Sequence, residues 1–478
     1  MPMKLSKKRP LRQSKLKLNL RSVAESKAES KAESKAESKR PSKLQQTVKV
    51  RSRTNGRVKI AKPEPSTPEI VRKDDLGVDL LSHSLSGKRL DVIVSGSIAA
   101  VESVRFIRSL RRLGATVTPW ITTGGSKFVT PLALEWASAA PCMTTFSGIK
   151  THLATSDAVV VAPASANVLS KMAQGITGEP HLALLSSAIG QGIPVILLPT
   201  MHDSMFDSPV FRKNLEALSL LKSVHIIEPR TEEGKRKFPD PEVMADQVSH
   251  IICRKDRPVG KVLITMGPTR GYIDQVRFMT SESSGKTGQE ISHELYRHGF
   301  NTLVVCGPSP LKPKCYFELR HVSTTTDMLE VCKKALADSK RTNSLSSKLI
   351  GAVFAASVLD YEPTTTLTGK TRSGRSDLSI ELSPTKKVIQ LFAKADIPKL
   401  AFKLEVSSSS DELKKIASKY FDDYGLERLY VNDIKHTKAN SRALLAYDGK
   451  KTPPKKLNSY HDLNNDVLSV FVTKNRRF

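Results

Sequence analysis

The sequence predicts an α/β protein, with two Rossmann-like parallel sheets in succession behind a polar tail. Three observations carry this. Short apolar runs alternate with amphipathic stretches that end at glycine, the order of a parallel sheet and its crossover helices. The pattern starts near Arg89 and restarts near residue 260. The residues before it hold no cluster of large apolar side chains from which to build a core.

The tail covers residues 1 to about 75 and includes four tandem AESK units over residues 24–39. Lys and Glu at this spacing support a solvated helix through i,i+4 pairs, so the expected state is disordered or transiently helical. Residues 1–73 carry +16 of the chain's net charge of +29. The tail therefore reads either as a basic arm that visits RNA, DNA or an acidic partner, or as a solubilising extension. No stacking aromatic interleaves its charges, which favours the second reading.

No apolar run reaches the roughly 18 residues that span a bilayer, and the basic N-terminus lacks a signal-peptide core. No membrane association is expected. The five cysteines (142, 253, 306, 315 and 332) are scattered and form no CxxC pair. A disulfide framework or zinc ribbon is disfavoured, and a cytoplasmic location fits.

In the first α/β stretch, residues 86–254, RLDVIVSGSIAA is a buried strand ending in a Gly/Ser turn. VESVRFIRSLRRLG has helical spacing, and ATVTPWITT is the next strand. DAVVVAPASAN and IPVILLPTM are further buried strands with polar loops at their carboxyl ends, where open α/β sheets bind ligands. Small residues from Ser95 to Ala100, where strand gives way to helix, leave backbone N–H groups free to hold a phosphate. The GxGxxG spacing of a dinucleotide fold is absent.

A second stretch, residues 260–478, follows a linker at residues 255–259. KVLITMGPTR is strand then turn. GKTGQEISHELYRHG is a helix, and FNTLVVCGP, LIGAVFAASVLDY, IPKLAFKLE and RLYVND are strands. Ser284, Gly285 and Lys286 lie in a small-residue loop that opens a helix, an anion cradle with one cation. The P-loop spacing is missing, because no glycine stands five residues before Gly285.

Taken with TTGGSKFVTP, HLATSDAVVVAPASANVLSKMAQG and PTMHDSMFDSP, residues 88–250 resemble the homo-oligomeric flavin-containing cysteine decarboxylases, specifically the phosphopantothenoylcysteine decarboxylases. The resemblance implies FMN surrounded by Gly96, Ser97 and Ile98, by Thr122, Ser126 and Phe128, and by Ala164, Ser165 and Asn167. It gives His152 the task of handling a proton or steering the substrate. His202 stands where the bacterial pattern has an Asn on the substrate carboxylate, and would bind that group as a cation. Phe206 replaces a Trp. The bacterial flap cysteine has no counterpart in EEGKRKFPDPEVM, where Lys235 or Arg236 would close over the substrate's phosphate or carboxylate. The MH pair and the EGK segment are similar to the archaeal branch of the family.

Residues 260–440 resemble the phosphopantothenate–cysteine ligases through TMGPTRGYIDQVRF and SSGKTG. By that resemblance Asp274 and Arg277 fix the loops around phosphopantothenate, while Ser281 replaces the family's Asn. FAASVLDYEP supplies Asp360 to the nucleotide site. GKTRSG puts Lys370 at the family's essential lysine, with Arg372 beside it. Ser383, Pro384, Thr385 and Lys386 match the cytidine-phosphate loop, Phe402 the aromatic near the base, and Lys419 a further phosphate contact. Asn432 and Asp433 match a late ND pair. The implied substrates are 4'-phosphopantothenate, cysteine and CTP with Mg2+, in a homo-oligomer. The alternatives are a ligase whose flavin domain is non-catalytic, and a nucleic-acid-binding protein that uses the basic tail.

Overall fold

The computed structural model describes residues 76–146, 152–311, 317–371, 378–406, 409–433, 444–449 and 453–474. The AESK tail, Cys315 and Arg372 lie outside them.

In the first half, strands β1 (Arg89–Val94), β2 (Thr116–Ile121), β3 (Ala158–Ala164), β4 (Val195–Pro199), β5 (Met201–His202), β6 (Val224–Ile226), β7 (Arg230–Glu232) and β8 (Lys235–Lys237) follow in chain order. Helices α1 (Ser103–Arg112), α2 (Pro131–Ser138), α3 (Ala166–Ala173), α4 (Pro180–Gly190), α5 (Asp203–Phe206), α6 (Pro209–Ser219) and α7 (Pro241–Arg254) lie between and after them. The main sheet has the order β2-β1-β3-β4-β6, and every pair in it is parallel. This is the flavodoxin-like order, in which the chain reverses its direction of travel between β1 and β3 and opens a crevice beyond their carboxyl ends.

Sequence explains the layers. All seven residues of β3 are buried, as a sheet covered on both faces requires. Phe106, Ile107 and Leu110 of α1 are buried while its arginines line the other side, so one stripe faces the core. Burying a side chain such as Phe106 contributes about 1.5–3 kcal/mol.

The second half contains β9 (Lys261–Met266), β10 (Arg270–Tyr272), β11 (Phe278–Thr280), β12 (Asn301–Cys306), β13 (Glu318–His321), β14 (Leu349–Phe354), β15 (Tyr361–Pro363), β16 (Leu382–Pro384), β17 (Lys399–Glu405), β18 (Arg428–Asp433), β19 (Leu444–Tyr447) and β20 (Lys455–Leu457). Its helices are α8 (Lys286–Arg297), α9 (Thr325–Arg341), α10 (Ser410–Tyr424) and α11 (Tyr460–Lys474). Eight strands form one sheet in the order β13-β12-β9-β14-β17-β18-β19-β20. Its pairs are parallel from β13 through β18 and antiparallel through β19 and β20. The core of this order is Rossmann-like, with its switch point between β9 and β14.

The expected strand LIGAVFAASVLDY ends early, at Phe354. The next residues leave the sheet to bridge the turn after β9: Ala355 N–H donates to Thr265 O at 3.1 Å and Ser357 N–H to Gly267 O at 2.9 Å. Leu359 N–H donates to Thr269 Oγ1 at 3.0 Å. Tyr361 then starts a separate two-stranded antiparallel sheet with β16. On the other side of β9, Gly307 meets the same turn so closely that a Cβ there would lie 1.8 Å from Pro268 O.

The described residues form one compact unit, and α7 packs against α8 where its two halves meet. That contact is charged and buried. Arg297 Nε donates to Asp246 Oδ1 at 2.6 Å, and Arg297 Nη1 lies 3.5 Å from Glu294 Oε2. Ser82 Oγ donates to Glu294 Oε1, and Ser249 Oγ to Arg297 O, each at 2.8 Å. The His250 ring stacks on Tyr296 with centroids 4.1 Å apart, and its Nδ1 lies 2.9 Å from Tyr296 O.

Candidate functional site

The crevice of the first sheet is tied across its switch point by Ser95, the buried first residue of the small-residue loop after β1. Its hydroxyl donates to Pro163 O and accepts the Ser165 N–H, both at 2.8 Å. The loops after β1 and β3 are thereby fixed to each other. Ser97 caps the short 3-10 turn leading into α1 and accepts from Ala99 N–H at 3.3 Å. Thr200, buried just after β4 and absent from the expected site, reaches Ser97 Oγ at 3.3 Å. A threonine before the MH pair was the available signal.

The loops after β1 and β2 approach backbone to backbone. A Cβ on Gly96 would lie 3.0 Å from the Cα and carbonyl carbon of Gly124. Thr122 is buried, and its Oγ1 accepts from Gly125 N–H at 3.0 Å. Ser126 Oγ donates to Thr123 O at 3.0 Å. Ile98 and Phe128 are exposed and apolar, Ala164 is buried at the end of β3, Ser165 is half-buried, and Asn167 is exposed in the first turn of α3. Main chain, small side chains and two apolar plates thus border one crevice. That donor set fits a ligand with an anionic group and a flat apolar body, as FMN has. His152 is exposed, six residues ahead of β3.

His202 caps α5: its Nδ1 accepts from Ser204 N–H at 3.2 Å. That cap engages Nδ1 and leaves Nε2 as the ring nitrogen outside it. The EEGKRK segment is the β7–β8 hairpin. Its turn residues Glu233 and Gly234 both have positive φ, at 53° and 65°, the signature of a two-residue type I′ turn. Strand β8 pairs with β5, setting His202 opposite Lys235. Arg236 is committed within the protein: its Nε is 2.9 Å from Asp203 Oδ1 and its guanidinium lies 4.7 Å over the Phe206 ring. Of the two flap cations only Lys235 is exposed, so Arg236 anchors the hairpin.

In the second half, Asp274 is fully buried and its carboxylate organises a loop. It accepts from the backbone N–H groups of Arg277 at 2.7 Å, Val276 at 2.8 Å and Thr371 at 3.1 Å, and from Arg277 Nη1 at 2.9 Å. These backbone donors, Arg277 first, hold its carboxyl far below the usual range. Arg277 Nη1 also donates to Thr371 O at 3.0 Å. Lys370, exposed, is the neighbour of the residue so gripped. Ser281 Oγ donates to Ser357 O at 3.0 Å, so its hydroxyl braces the switch-point loop. Ser284 is exposed, Gly285 is buried at the start of α8, and the Lys286 ammonium sits 5.3 Å over the Tyr460 ring.

A cavity of about 670 Å³ opens beside the carboxyl end of β17. It brings together Thr385, Lys386 and Lys419 from the expected site, with Lys387, Lys403 and Tyr420. Asp360 borders the group: its carbonyl accepts from Thr385 N–H at 2.9 Å. Burial, reinforced by the carboxylates of Asp360, Glu405 and Asp423, raises the Tyr420 hydroxyl above its ordinary value. Ser383 and Pro384 lie in β16 just before the cavity. Phe402 is on the opposite face of β17, stacked on Tyr430 at 4.8 Å, and the structure does not bring it to the cavity. Among the described residues no group of three or more His, Cys, Asp or Glu side chains converges to hold a metal ion. Among the same residues no helix is long and apolar enough to cross a membrane.

Residues 79–253 match the Flavoprotein family, and residues 259–468 match the DNA/pantothenate metabolism flavoprotein C-terminal domain. Fold and crevices thus define a flavoprotein domain in series with a pantothenate-metabolism domain. The chain is 32% identical over 385 residues to the coenzyme A biosynthesis bifunctional protein CoaBC of Thermococcus kodakarensis, covering 78% of this chain and 93% of that one. Its identity to the Methanocaldococcus jannaschii protein of the same name is 28% over 372 residues (77% and 88% covered). For Haemophilus influenzae it is 26% over 372 residues (73% and 88% covered). The chain belongs to this family of coenzyme A biosynthesis bifunctional proteins.

Proposed function

We propose that the chain joins cysteine to 4'-phosphopantothenate at the expense of CTP and then decarboxylates the phosphopantothenoylcysteine on FMN. The observation that carries the reading is the lysine-lined cavity at the carboxyl end of β17, where Lys386 and Lys419 meet although 33 positions separate them. The two activities map onto residues 260–478 and 86–254, and the neighbourhood of residues 1–75 is left to solubility.

In the ligase half the phosphopantothenate carboxylate attacks the α-phosphorus of CTP. The bond to the bridging oxygen breaks and pyrophosphate leaves, giving an acyl-cytidylate. The cysteine amine then attacks the acyl carbon and expels CMP. Charge on the phosphates is met by Lys370, Lys386 and Lys419, with Mg2+ brought on the triphosphate. Asp360, Ser383, Pro384 and Thr385 seat the nucleotide, and Phe402 packs behind that wall. Ser284, Gly285 and Lys286 cradle an anion of the second substrate. Asp274 and Arg277 position Lys370 through Thr371.

In the decarboxylase half, Gly96, Ser97, Ser165 and Asn167 hold the FMN phosphate and polar edge, Thr122 and Ser126 shape the second loop, and Ile98, Phe128 and Ala164 pack on its apolar body. When bound, FMN supplies the redox chemistry that makes loss of CO2 from the cysteine moiety feasible. His202 donates through Nε2 to the substrate carboxylate, Lys235 closes over its phosphate, and His152 moves a proton. The setting is cytoplasmic. The exposed Val101 and Leu132 support self-association into a homo-oligomer.

The test is an absorption spectrum of the purified protein, followed by incubation with phosphopantothenate, cysteine, CTP and Mg2+ and mass spectrometry. A yellow protein that forms phosphopantetheine is expected. A product that stops at phosphopantothenoylcysteine leaves a ligase alone. No product with either CTP or ATP overturns the reading.

A further inference from the structure

We propose that Lys403 is a further triphosphate-binding residue of the ligase, and that Glu405 opposes it as a competing anion; this rests on the cavity beside β17 being the nucleotide site. Lys403 and Glu405 stand two positions apart on one strand, so both point to the same face of the sheet. Both line the cavity, together with Lys386, Lys387 and Lys419. Lys403 Nζ lies 3.4 Å from Glu405 Oε1, and both side chains are part-exposed into that space.

Four lysines and the carboxylates of Glu405 and Asp423 line the cavity, which gives it a net charge of +2. A tetra-anionic nucleotide is matched by such a surface, and a neutral metabolite is not. Lys403 differs from the other three lysines in its mounting. It projects from β17, where its main chain is paired with Val431 of β18. Lys386 and Lys387 stand on the segment after β16, and Lys419 stands on α10. A cation on a rigid strand loses little positional freedom when a phosphate arrives. The paired carboxylate holds that ammonium over the cavity while the site is empty, and the incoming phosphate must displace it. Glu405 therefore weakens nucleotide binding while it pre-positions the lysine.

The two residues then have opposite effects on affinity. Lys403→Met takes the cavity from +2 to +1, and Glu405→Gln takes it from +2 to +3. Titration calorimetry with CTP and Mg2+ on the full-length protein reads this directly, with flavin absorbance and melting temperature as checks of folding. Lys403→Met is expected to weaken CTP binding about ten-fold, the cost of one charge-assisted contact. Lys403→Arg is expected to restore most of it, and Glu405→Gln to tighten binding a few-fold. Lys419→Ala serves as the reference for the site itself. Weakening in Lys419→Ala with wild-type affinity in Lys403→Met overturns this inference and leaves the nucleotide site standing. Wild-type affinity in both overturns the site as well. Weaker binding in Glu405→Gln overturns the antagonism.

Discussion

The carboxylate of Asp274 accepts the backbone N–H of Thr371 at 3.1 Å, across 97 positions of sequence. The loop after β10 thereby holds the residue that follows Lys370. Neither partner needs to touch a substrate for the lysine to depend on both.

Asp274→Asn removes one of the acceptor positions and sets an N–H against the Thr371 N–H. Ligation, followed by pyrophosphate release, is expected to fall about a hundred-fold, the usual cost of a reacting group displaced by an ångström. Flavin content stays unchanged. The backbone donors depress the folded-state pKa of Asp274 below its ordinary 3.8. Its stabilising effect is complete above that ordinary value and is lost only as pH falls through the depressed one. The acid limb of ligation at mildly acidic pH therefore belongs to another group.

Arg297 is 6% exposed and faces two carboxylates, Asp246 and Glu294, that are themselves buried. Arg297→Met removes the guanidinium from both and leaves each facing only a histidine, His293 for Asp246 and His298 for Glu294. Urea denaturation is expected to show a loss of about 3–5 kcal/mol, and a second substitution, Asp246→Asn, to recover part of it.

His250 is pushed down from 6.5 to about 4, chiefly by burial. A histidine with a depressed folded-state pKa favours the fold when neutral. Its contribution is full above pH 6.5 and is lost as pH falls from 6.5 towards 4, because the unfolded chain then binds the extra proton. Melting temperature should drop across that window. His250→Phe, which keeps the stack on Tyr296, should flatten the drop.

Arg236→Ala frees the β7–β8 hairpin from Asp203 and Phe206. Decarboxylation is expected to slow about ten-fold, and limited proteolysis to cut within residues 230–237. Lys235→Ala should leave the hairpin resistant and raise KM alone.

Gly125→Ala puts a methyl 2.5 Å from Val94 O. The expected cost is about 1–3 kcal/mol in a thermal melt, with reduced flavin in the purified protein.

The two sheets were legible because their strands are apolar in unbroken runs, such as Val159 to Val161 and Val195 to Leu198. The turns at the ends of β1 and β9 were legible because Gly and Ser cluster where those runs end. Other features depended on tertiary packing. On a helix, Asp246 and Arg297 read as ordinary solvated charges; only the apposition of α7 and α8 buries them. Lys403 reads as the polar half of a strand alternation, and nothing local says that α10 and the loop before residue 388 wall in a cavity above it. Phe402 carries the opposite lesson, since period two already sets it on the other face from its neighbour Lys403. The cap at His202 was not legible, because its donor, Ser204 N–H, belongs to a turn too short to recognise in sequence.

At Gly307 the main chain passes the turn after β9 with no room for one carbon atom, since even alanine would overlap Pro268 O. Descent has little to try there. Any change at 307 must be preceded by a shift of the whole 267–270 turn, and that turn is itself pinned by Ser357 and Leu359 of the segment after β14. The position is one where drift is closed off by geometry before selection on catalysis begins.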